Sequence, residues 1–233
     1  MILLRISLEP SYVLHSRPYR ETSLLLEVLS REHGRVGLVA RGARGTRSRW
    51  KNVLQPFRPL LLSWSQKGEL GTLTSADQVA SPPPLFGESL FCGLYANELT
   101  TRFLQRSDPH PGLFEQYRAL VSELAAGLEP QPLLRLYEAK LLQSAGFGLQ
   151  LEHEQGGGDI QAGAWYEYVP ESGPKRRDTG NGKTHELVSG AALLALQSGE
   201  IEERHQKELK ALMRRLIRFY LGDRPLNSQS LFY

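Results

Sequence analysis

The sequence predicts an α+β protein: a small N-terminal β-barrel over residues 1–80, then a helical domain over 81–233 that carries a small irregular β insertion at about 149–189. Three observations predict this. Up to about Val79 the apolar residues come in short runs, several of them alternating with polar residues as half-buried strands do. Ser81-Pro82-Pro83-Pro84 then sets three prolines in a row, which cannot donate ladder hydrogen bonds and hold the chain extended. Beyond them the apolar period lengthens to about 3.6 residues, and the helical pattern fails only between Leu149 and Ser189.

Taken in order, a first strand begins at Tyr12-Val13-Leu14 and a second runs from Ser23 to Leu29. A turn at Gly34 leads to a third from Arg35 to Ala40. A fourth spans Leu60 to Trp64, and Lys67-Gly68 turns the chain into a fifth at about Leu70 to Ala76. Five short strands in under 80 residues, with glycine and polar turns, suit a barrel, which removes exposed strand edges. The first helix is expected from Leu85 to Leu104, with Leu90, Leu94, Leu99 and Phe103 near one face, and Pro109-His110-Pro111 ends it. A second runs from Leu113 to Leu128, stopped by Gly127 and Pro130. A third runs from Leu133 to Ser144, with Leu133, Leu134, Tyr137, Leu141 and Leu142 inward and Gly146 at its end. In the insertion, Gln155-Gly156-Gly157-Gly158 and Asp178-Thr179-Gly180-Asn181-Gly182 are turn sequences flanking a β-like piece from Trp165 to Val169. Helices resume from Gly190 to Gln197 and from Glu203 to Leu221. In the last, Leu209, Leu212, Met213, Leu216, Ile217, Tyr220 and Leu221 recur at spacings of three and four and form one apolar stripe.

Composition bounds the function classes. With 233 residues the chain buries a core large enough to need no staples, and 40% hydrophobic with 23% charged residues is ordinary for a folded protein. The lone cysteine, Cys92, excludes an internal disulfide framework and a four-cysteine zinc site, and fits a reducing compartment. No apolar run is long enough to cross a bilayer, and MILLRISLEP lacks the long apolar core and cleavage site of a signal peptide. A cytoplasmic protein without membrane partners is expected. The net charge of +3 conceals an asymmetry: residues 1–80 carry 12 Lys and Arg against 6 Asp and Glu, whereas 81–233 carry 16 against 19. The first module attracts polyanions and the second does not do so uniformly.

The asymmetry concentrates between Arg35 and Arg58, a stretch with seven basic residues and no acidic one. From Arg41 to Arg49 it has no sizeable apolar side chain, so it reads as a basic loop between two strands. A solvated face normally mixes charge signs, so the absence of carboxylates favours a surface that lies against phosphates. Arg35, Arg41, Arg44, Arg47, Arg49, Trp50 and Lys51 are the expected nucleic-acid contacts. Trp50 stands between Arg49 and Lys51 and reads as a base-stacking platform. Tyr19 is a further candidate platform, while Trp64, in an apolar strand, reads as core. Gly180-Asn181-Gly182-Lys183-Thr184 ends like a phosphate-binding P-loop, but Arg177 stands where its first glycine belongs, so nucleotide hydrolysis is not expected. His153-Glu154 and His185-Glu186 lack metalloprotease spacing, no Gly-x-Ser-x-Gly elbow occurs, and acidic residues in the front half are sparse and scattered. No catalytic constellation is present, and the chain is not expected to be an enzyme. On the last helix Lys207, Lys210, Arg214 and Arg218 recur beside the apolar stripe, either as a solvated face or as the flank of a groove for an acidic peptide.

Several motifs, in order, resemble the RecO family of bacterial recombination mediators. They are Val13-Leu14-His15-Ser16-Arg17-Pro18-Tyr19-Arg20-Glu21-Thr22-Ser23, Gly34-Arg35, Ala40-Arg41-Gly42-Ala43-Arg44 and Leu54-Gln55-Pro56-Phe57. In the second half follow Gly93-Leu94-Tyr95-Ala96-Asn97-Glu98-Leu99, Gly146-Phe147-Gly148 and Leu221-Gly222-Asp223-Arg224-Pro225-Leu226. The resemblance implies that the barrel is an OB-fold and that the protein takes part in DNA repair at the nucleoid. It implies binding of single- and double-stranded DNA, annealing of complementary strands, and partnership with RecR and the single-stranded DNA-binding protein in loading RecA. It also implies that the helical domain receives the acidic C-terminal tail of the single-stranded DNA-binding protein. The chain departs from the family pattern in one respect. Many relatives hold zinc on four cysteines in the inserted segment, but residues 149 to 189 here contain none, and His153 and His185 alone cannot complete a tetrahedral site. A zinc-free member is expected, its insertion held by packing around Trp165, Tyr166 and Tyr168. The residues themselves leave two alternatives open: an RNA-binding barrel protein of the translation machinery, and a protein-only adaptor.

Overall fold

β1 (Leu4–Tyr19) serves two sides of the barrel because it bends. Its first half pairs antiparallel with β4 (Leu60–Gln66) and its second half with β2 (Ser23–Ser30). The register shifts between Ile6 and Glu9, where Leu8 takes a φ of 52°, and again between Val13 and His15. The extra residue at such a bulge bends the strand and increases its twist. β3 (Gly34–Ala40) follows β2, and a short parallel joint, Gly37 opposite Leu70 to Val39 opposite Thr72, connects it to β5 (Leu70–Gln78). The barrel closes in the order β1-β2-β3-β5-β4. The sequence reading starts this strand eight residues late, at Tyr12, because Leu4 and Leu8 are exposed and the bulge breaks the alternation that marks a strand. The barrel interior is filled by Val13, Leu26, Val28, Val36, Leu38, Leu60, Leu62, Trp64 and their neighbours.

This computed structural model describes residues 3–50, 52–177, 187–222 and 225–228. The chain divides into two compact units, Met1–Leu128 with Asn227–Tyr233, and Glu129–Leu226. The first holds the barrel together with α1 (Gly87–Phe103) and α2 (Pro111–Ala125). The buried face of α1 is Cys92, Tyr95, Ala96, Leu99 and Thr100; Leu90, Leu94 and Phe103, expected inward, are only half-buried. Close approach decides the face. A Cβ on Gly93 would lie 2.8 Å from the Phe57 ring, so the helix presents its small residues to its neighbours. Asn97 Nδ2 donates to the Leu14 carbonyl of β1 at 2.9 Å, and the Tyr117 hydroxyl of α2 donates to Asn97 Oδ1 at 2.6 Å, which joins strand and both helices through one buried amide. The β2–β3 turn is packed as closely: Gly34 has φ 66°, and a Cβ there would meet the Asp108 carbonyl oxygen at 2.1 Å.

The second unit contains α3 (Pro130–Ser144), β6 (Trp165–Val169), β7 (Gly173–Arg177), β8 (Leu187–Ser189), α4 (Gly190–Ser198) and α5 (Glu203–Leu221). β6 is the middle strand of a sheet ordered β7-β6-β8. Alternation along β6 buries Tyr166 and Tyr168 and leaves Trp165 on the opposite face, 39% exposed, so the expected packing around Trp165 is corrected. The two tyrosine hydroxyls accept hydrogen bonds from the backbone N–H groups of Gln161 and Gln150, at 3.0 and 2.8 Å. Burial pushes the Tyr168 phenol up to about 12. The turn sequence 178–182 and the glycine-lysine segment 180–184 lie outside the described residues. On α3, Leu134, Tyr137, Leu141 and Leu142 point inward as expected, whereas Leu133 is half-buried. α5 buries Leu209, Leu212, Met213, Leu216 and Ile217, but Tyr220 and Leu221, expected in that stripe, are half-buried at the helix end, with the Phe147 ring stacked 4.4 Å from Tyr220. Among the described residues no helix is long and apolar enough to cross a membrane.

Candidate nucleic-acid interface

β3 ends at Ala40 and β4 begins at Leu60, and the segment between them carries the basic loop. Arg41, Arg44, Arg47 and Arg49 are all exposed. None of the four forms an ion pair among the described residues, and the side chains of Arg44 and Arg49 donate to backbone carbonyls. Arg44 donates its backbone N–H to the Thr22 carbonyl at 2.9 Å and its guanidinium to the carbonyls of Arg20 and Glu21, at 3.3 and 3.1 Å. Arg49 donates to the Thr74 carbonyl of β5 at 3.1 Å and lies over the Trp50 ring, 4.2 Å from its centroid. These contacts use the guanidinium groups as donors without cancelling their charge.

Trp50 is not the exposed stacking platform expected from its neighbours. It is 6% exposed and belongs to the barrel core. Its indole Nε1 donates to the Arg41 carbonyl at 3.0 Å, so the two ends of the polar loop are tied through one buried ring. The loop has few apolar side chains of its own, and an indole anchors it well because it offers a large apolar area with one donor at its edge. Arg35 is also corrected. Its side chain is only 15% exposed, and NH1 donates to Glu27 Oε2 at 2.7 Å while Nε donates to the Leu104 carbonyl at 3.0 Å. Arg106 binds the other oxygen of Glu27. The register explains this: Leu29 faces Arg35 and Glu27 faces Gly37, so Glu27 and Arg35 are diagonal neighbours across the β2–β3 ladder. Lys51 lies outside the described residues. Trp64 is core as expected, 1% exposed, with Nε1 donating to Gln66 Oε1 at 3.2 Å.

Two residues of this rim were missed by the sequence reading. Arg17 and Arg20, both exposed, sit at the end of β1 and in the turn to β2, which Arg44 bonds directly. The pairs Tyr19–Ser23 and Leu24–Ala40 bring that turn beside the start of the loop. Arg17-Pro18-Tyr19-Arg20 is basic and aromatic in sequence, but only the register shows where it lies. The Arg20 guanidinium stands 5.3 Å from the Tyr19 centroid, so one face of the Tyr19 ring carries an arginine.

Lys207, Lys210, Arg214 and Arg218 are all exposed on one side of α5, and Phe219, 55% exposed, follows at the end of the stripe. For zinc, the donor set of the insertion does not fit: no cysteine lies between 149 and 189, and His153 Nδ1 is engaged with Asp159 Oδ1 at 3.0 Å. Among the described residues, no three His, Cys, Asp or Glu side chains are grouped as a metal ion would require.

A closed five-stranded barrel of this order, with a parallel β3–β5 joint and a cationic loop on its rim, defines an OB-fold protein extended by helices and a small sheet. The family model described as Recombination protein O N terminal matches residues 5–82, and that described as Recombination protein O C terminal matches residues 87–230. The chain is 46% identical to the DNA repair protein RecO of Nitrosococcus oceani, covering 98% of this chain and 93% of that one. It is 43% identical to the DNA repair protein RecO of Azoarcus sp. (strain BH72), covering 97% of this chain and 94% of that one. Against the DNA repair protein RecO of Dechloromonas aromatica the identity is 43%, over 98% and 96%. The chain belongs to the RecO family of DNA repair proteins.

Proposed function

We propose that this protein is a non-catalytic recombination mediator that binds single- and double-stranded DNA without sequence preference, anneals complementary strands and helps load RecA onto DNA coated by the single-stranded DNA-binding protein. The observation that carries this reading is the exposure of Arg41, Arg44, Arg47 and Arg49 on one barrel rim with no carboxylate bound to them among the described residues. Annealing needs no covalent chemistry. Two strands repel through their phosphates, and a surface that neutralises both lets them approach and sample register. In this reading residues 1–80 hold DNA and residues 81–233 recruit protein partners, RecR among them. The stripe Lys207, Lys210, Arg214 and Arg218 receives the acidic C-terminal tail of the single-stranded DNA-binding protein. The protein acts in the cytoplasm at the nucleoid, and does so without zinc.

The test is the salt dependence of binding to an unstructured DNA oligonucleotide. If about five cations displace counterions, log K falls against log salt with a slope of roughly −3.5. Replacing Arg41 and Arg47 by alanine is expected to flatten that slope by about 1.4. An unchanged slope would remove the loop from the mechanism, and tighter binding of a matched RNA strand would favour a role in RNA metabolism. Failure of the purified protein to shift any oligonucleotide would leave only the adaptor reading.

A further inference from the structure

We propose that Arg44 is a positioning residue and not a phosphate ligand, and that the β1–β2 turn it holds supplies a second wall of the polynucleotide track through Arg17 and Arg20. This rests on the reading of the barrel rim as a polynucleotide surface. The inference comes from where Arg44 bonds. Its backbone N–H reaches the Thr22 carbonyl at 2.9 Å, and one guanidinium nitrogen reaches the carbonyls of Arg20 and Glu21 at 3.3 and 3.1 Å. A single loop residue therefore closes on three consecutive carbonyls of the neighbouring turn. A guanidinium fork is suited to such a clamp, and a flexible ammonium is not.

The turn it holds is built in an unusual way. Arg20 has a φ of 52°, in the left-handed region that side-chain-bearing residues seldom occupy. With the Arg20 and Glu21 carbonyls both bound by Arg44, the turn is kept in that conformation, and the Arg20 side chain is carried over the Tyr19 ring, 5.3 Å from its centroid. Strand alternation sets Arg17 and Tyr19 on one face of β1, and Arg17 is exposed there. Neither Arg17 nor Arg20 is paired to a carboxylate among the described residues. The rim thus has cations on both of its edges, Arg41 and Arg47 from the loop and Arg17 and Arg20 from the turn, with Arg44 as the staple between them. The ligand is the sugar-phosphate backbone of an unpaired strand, because Trp50 is buried and Tyr19 is half-buried with an arginine over one ring face, so charge rather than base stacking makes the main contact. Glu21 places a carboxylate in the same exposed turn and opposes that contact.

The experiment measures, with the full-length protein and a fluorescein-labelled oligo-dT, affinity and its salt slope for Arg44→Lys, Arg44→Ala, Arg17→Ala, Arg20→Asn and Arg47→Ala, with a thermal melt of each. Asparagine tolerates the left-handed conformation, so Arg20→Asn removes the charge and keeps the turn. Arg44→Lys is expected to weaken binding about as much as Arg44→Ala, by roughly fivefold to tenfold, although it keeps the charge. Arg17→Ala and Arg20→Asn are each expected to flatten the slope by about 0.7, as Arg47→Ala does. Wild-type binding by Arg44→Lys overturns the positioning role. Unchanged slopes for Arg17→Ala and Arg20→Asn, beside a flattened slope for Arg47→Ala, overturn the second wall and leave the loop reading standing. Unchanged slopes for all three overturn both. The variants at exposed Arg17 and Arg20 keep the second wall testable if the Arg44 variants do not fold.

Discussion

The barrel rim and the outer face of α5 both carry exposed cations, but they hold them in different ways. On the rim, Arg44 is bonded to the carbonyls of Arg20 and Glu21, and Arg49 is bonded to that of Thr74 and rests on an indole rooted in the core. On α5, Lys207, Lys210, Arg214 and Arg218 project into solvent from a helix whose opposite face is buried. Lys210, Arg214 and Arg218 also follow one another at intervals of four, where like charges cost each pair about 0.2–0.5 kcal/mol. The helix C-terminus offsets part of that for Arg218. The difference teaches what each surface suits. Arg44 and Arg49 fix the backbone from which the other rim cations project, so those cations start from set positions and the rim favours a ligand of regular charge spacing. Free side chains suit a ligand whose shape varies, such as an extended acidic peptide.

The comparison breaks most severely at Trp50. Trp50→Ala is expected to cost about 3–5 kcal/mol, read as a large fall in melting temperature, because it empties a core site and releases the loop ends. Trp50→Phe keeps most of the packing and loses the bond to the Arg41 carbonyl, at about 1 kcal/mol. An exposed platform would leave the melt unchanged in both. Next in size, changing Lys210, Arg214 and Arg218 together to alanine is expected to weaken capture of an acidic peptide about tenfold while leaving the salt slope for oligo-dT as it was. A flattened slope would show that the two surfaces share one ligand. A smaller effect sharpens the contrast from the acidic side, because Glu98 of α1 is a carboxylate fixed as firmly as the rim arginines. Burial raises its pKa, but the backbone N–H groups of Ser228 and Asn227, the Ser228 hydroxyl and Arg102 together outweigh burial and hold it below the ordinary glutamate range. Its contribution to holding Asn227 and Ser228 is therefore full above the ordinary glutamate value of about 4.3 and is lost as pH falls through the lower folded value. The amide resonances of Asn227 and Ser228 should titrate together with a midpoint below about 4.3. A midpoint at or above that value would show the clasp is not formed in solution.

The candidate site was legible in the sequence as a region but not as a set of contacts. A run from Arg41 to Arg49 without a large apolar side chain has to be largely exposed, and it is, with only Ala43 and Ser48 half-buried. The same reasoning misassigned Trp50, because polar neighbours in sequence say nothing about what lies behind a loop. It took Arg35 for a free cation because its partner, Glu27, is separated by a turn and becomes a neighbour only through the β2–β3 register. It passed over Arg17 and Arg20 for the same reason. On α5 the reading was better: the apolar residues from Leu209 to Ile217 are buried and the four cations are exposed.

By itself the sequence determined the strands of the barrel beyond the bulge, the extended proline stretch, the helices and their approximate ends, and which stretches must meet water. Those properties follow from period and propensity, which act within a few residues along the chain. Tertiary structure alone decided that β1 bends to serve two partners, that α1 shows its small residues to its neighbours, and that Arg35 stands at the far end of β3 from the rim, paired to Glu27. Each of these depends on a pairing between residues distant in sequence, and such a pairing is set by closure of the whole barrel rather than by any segment of it.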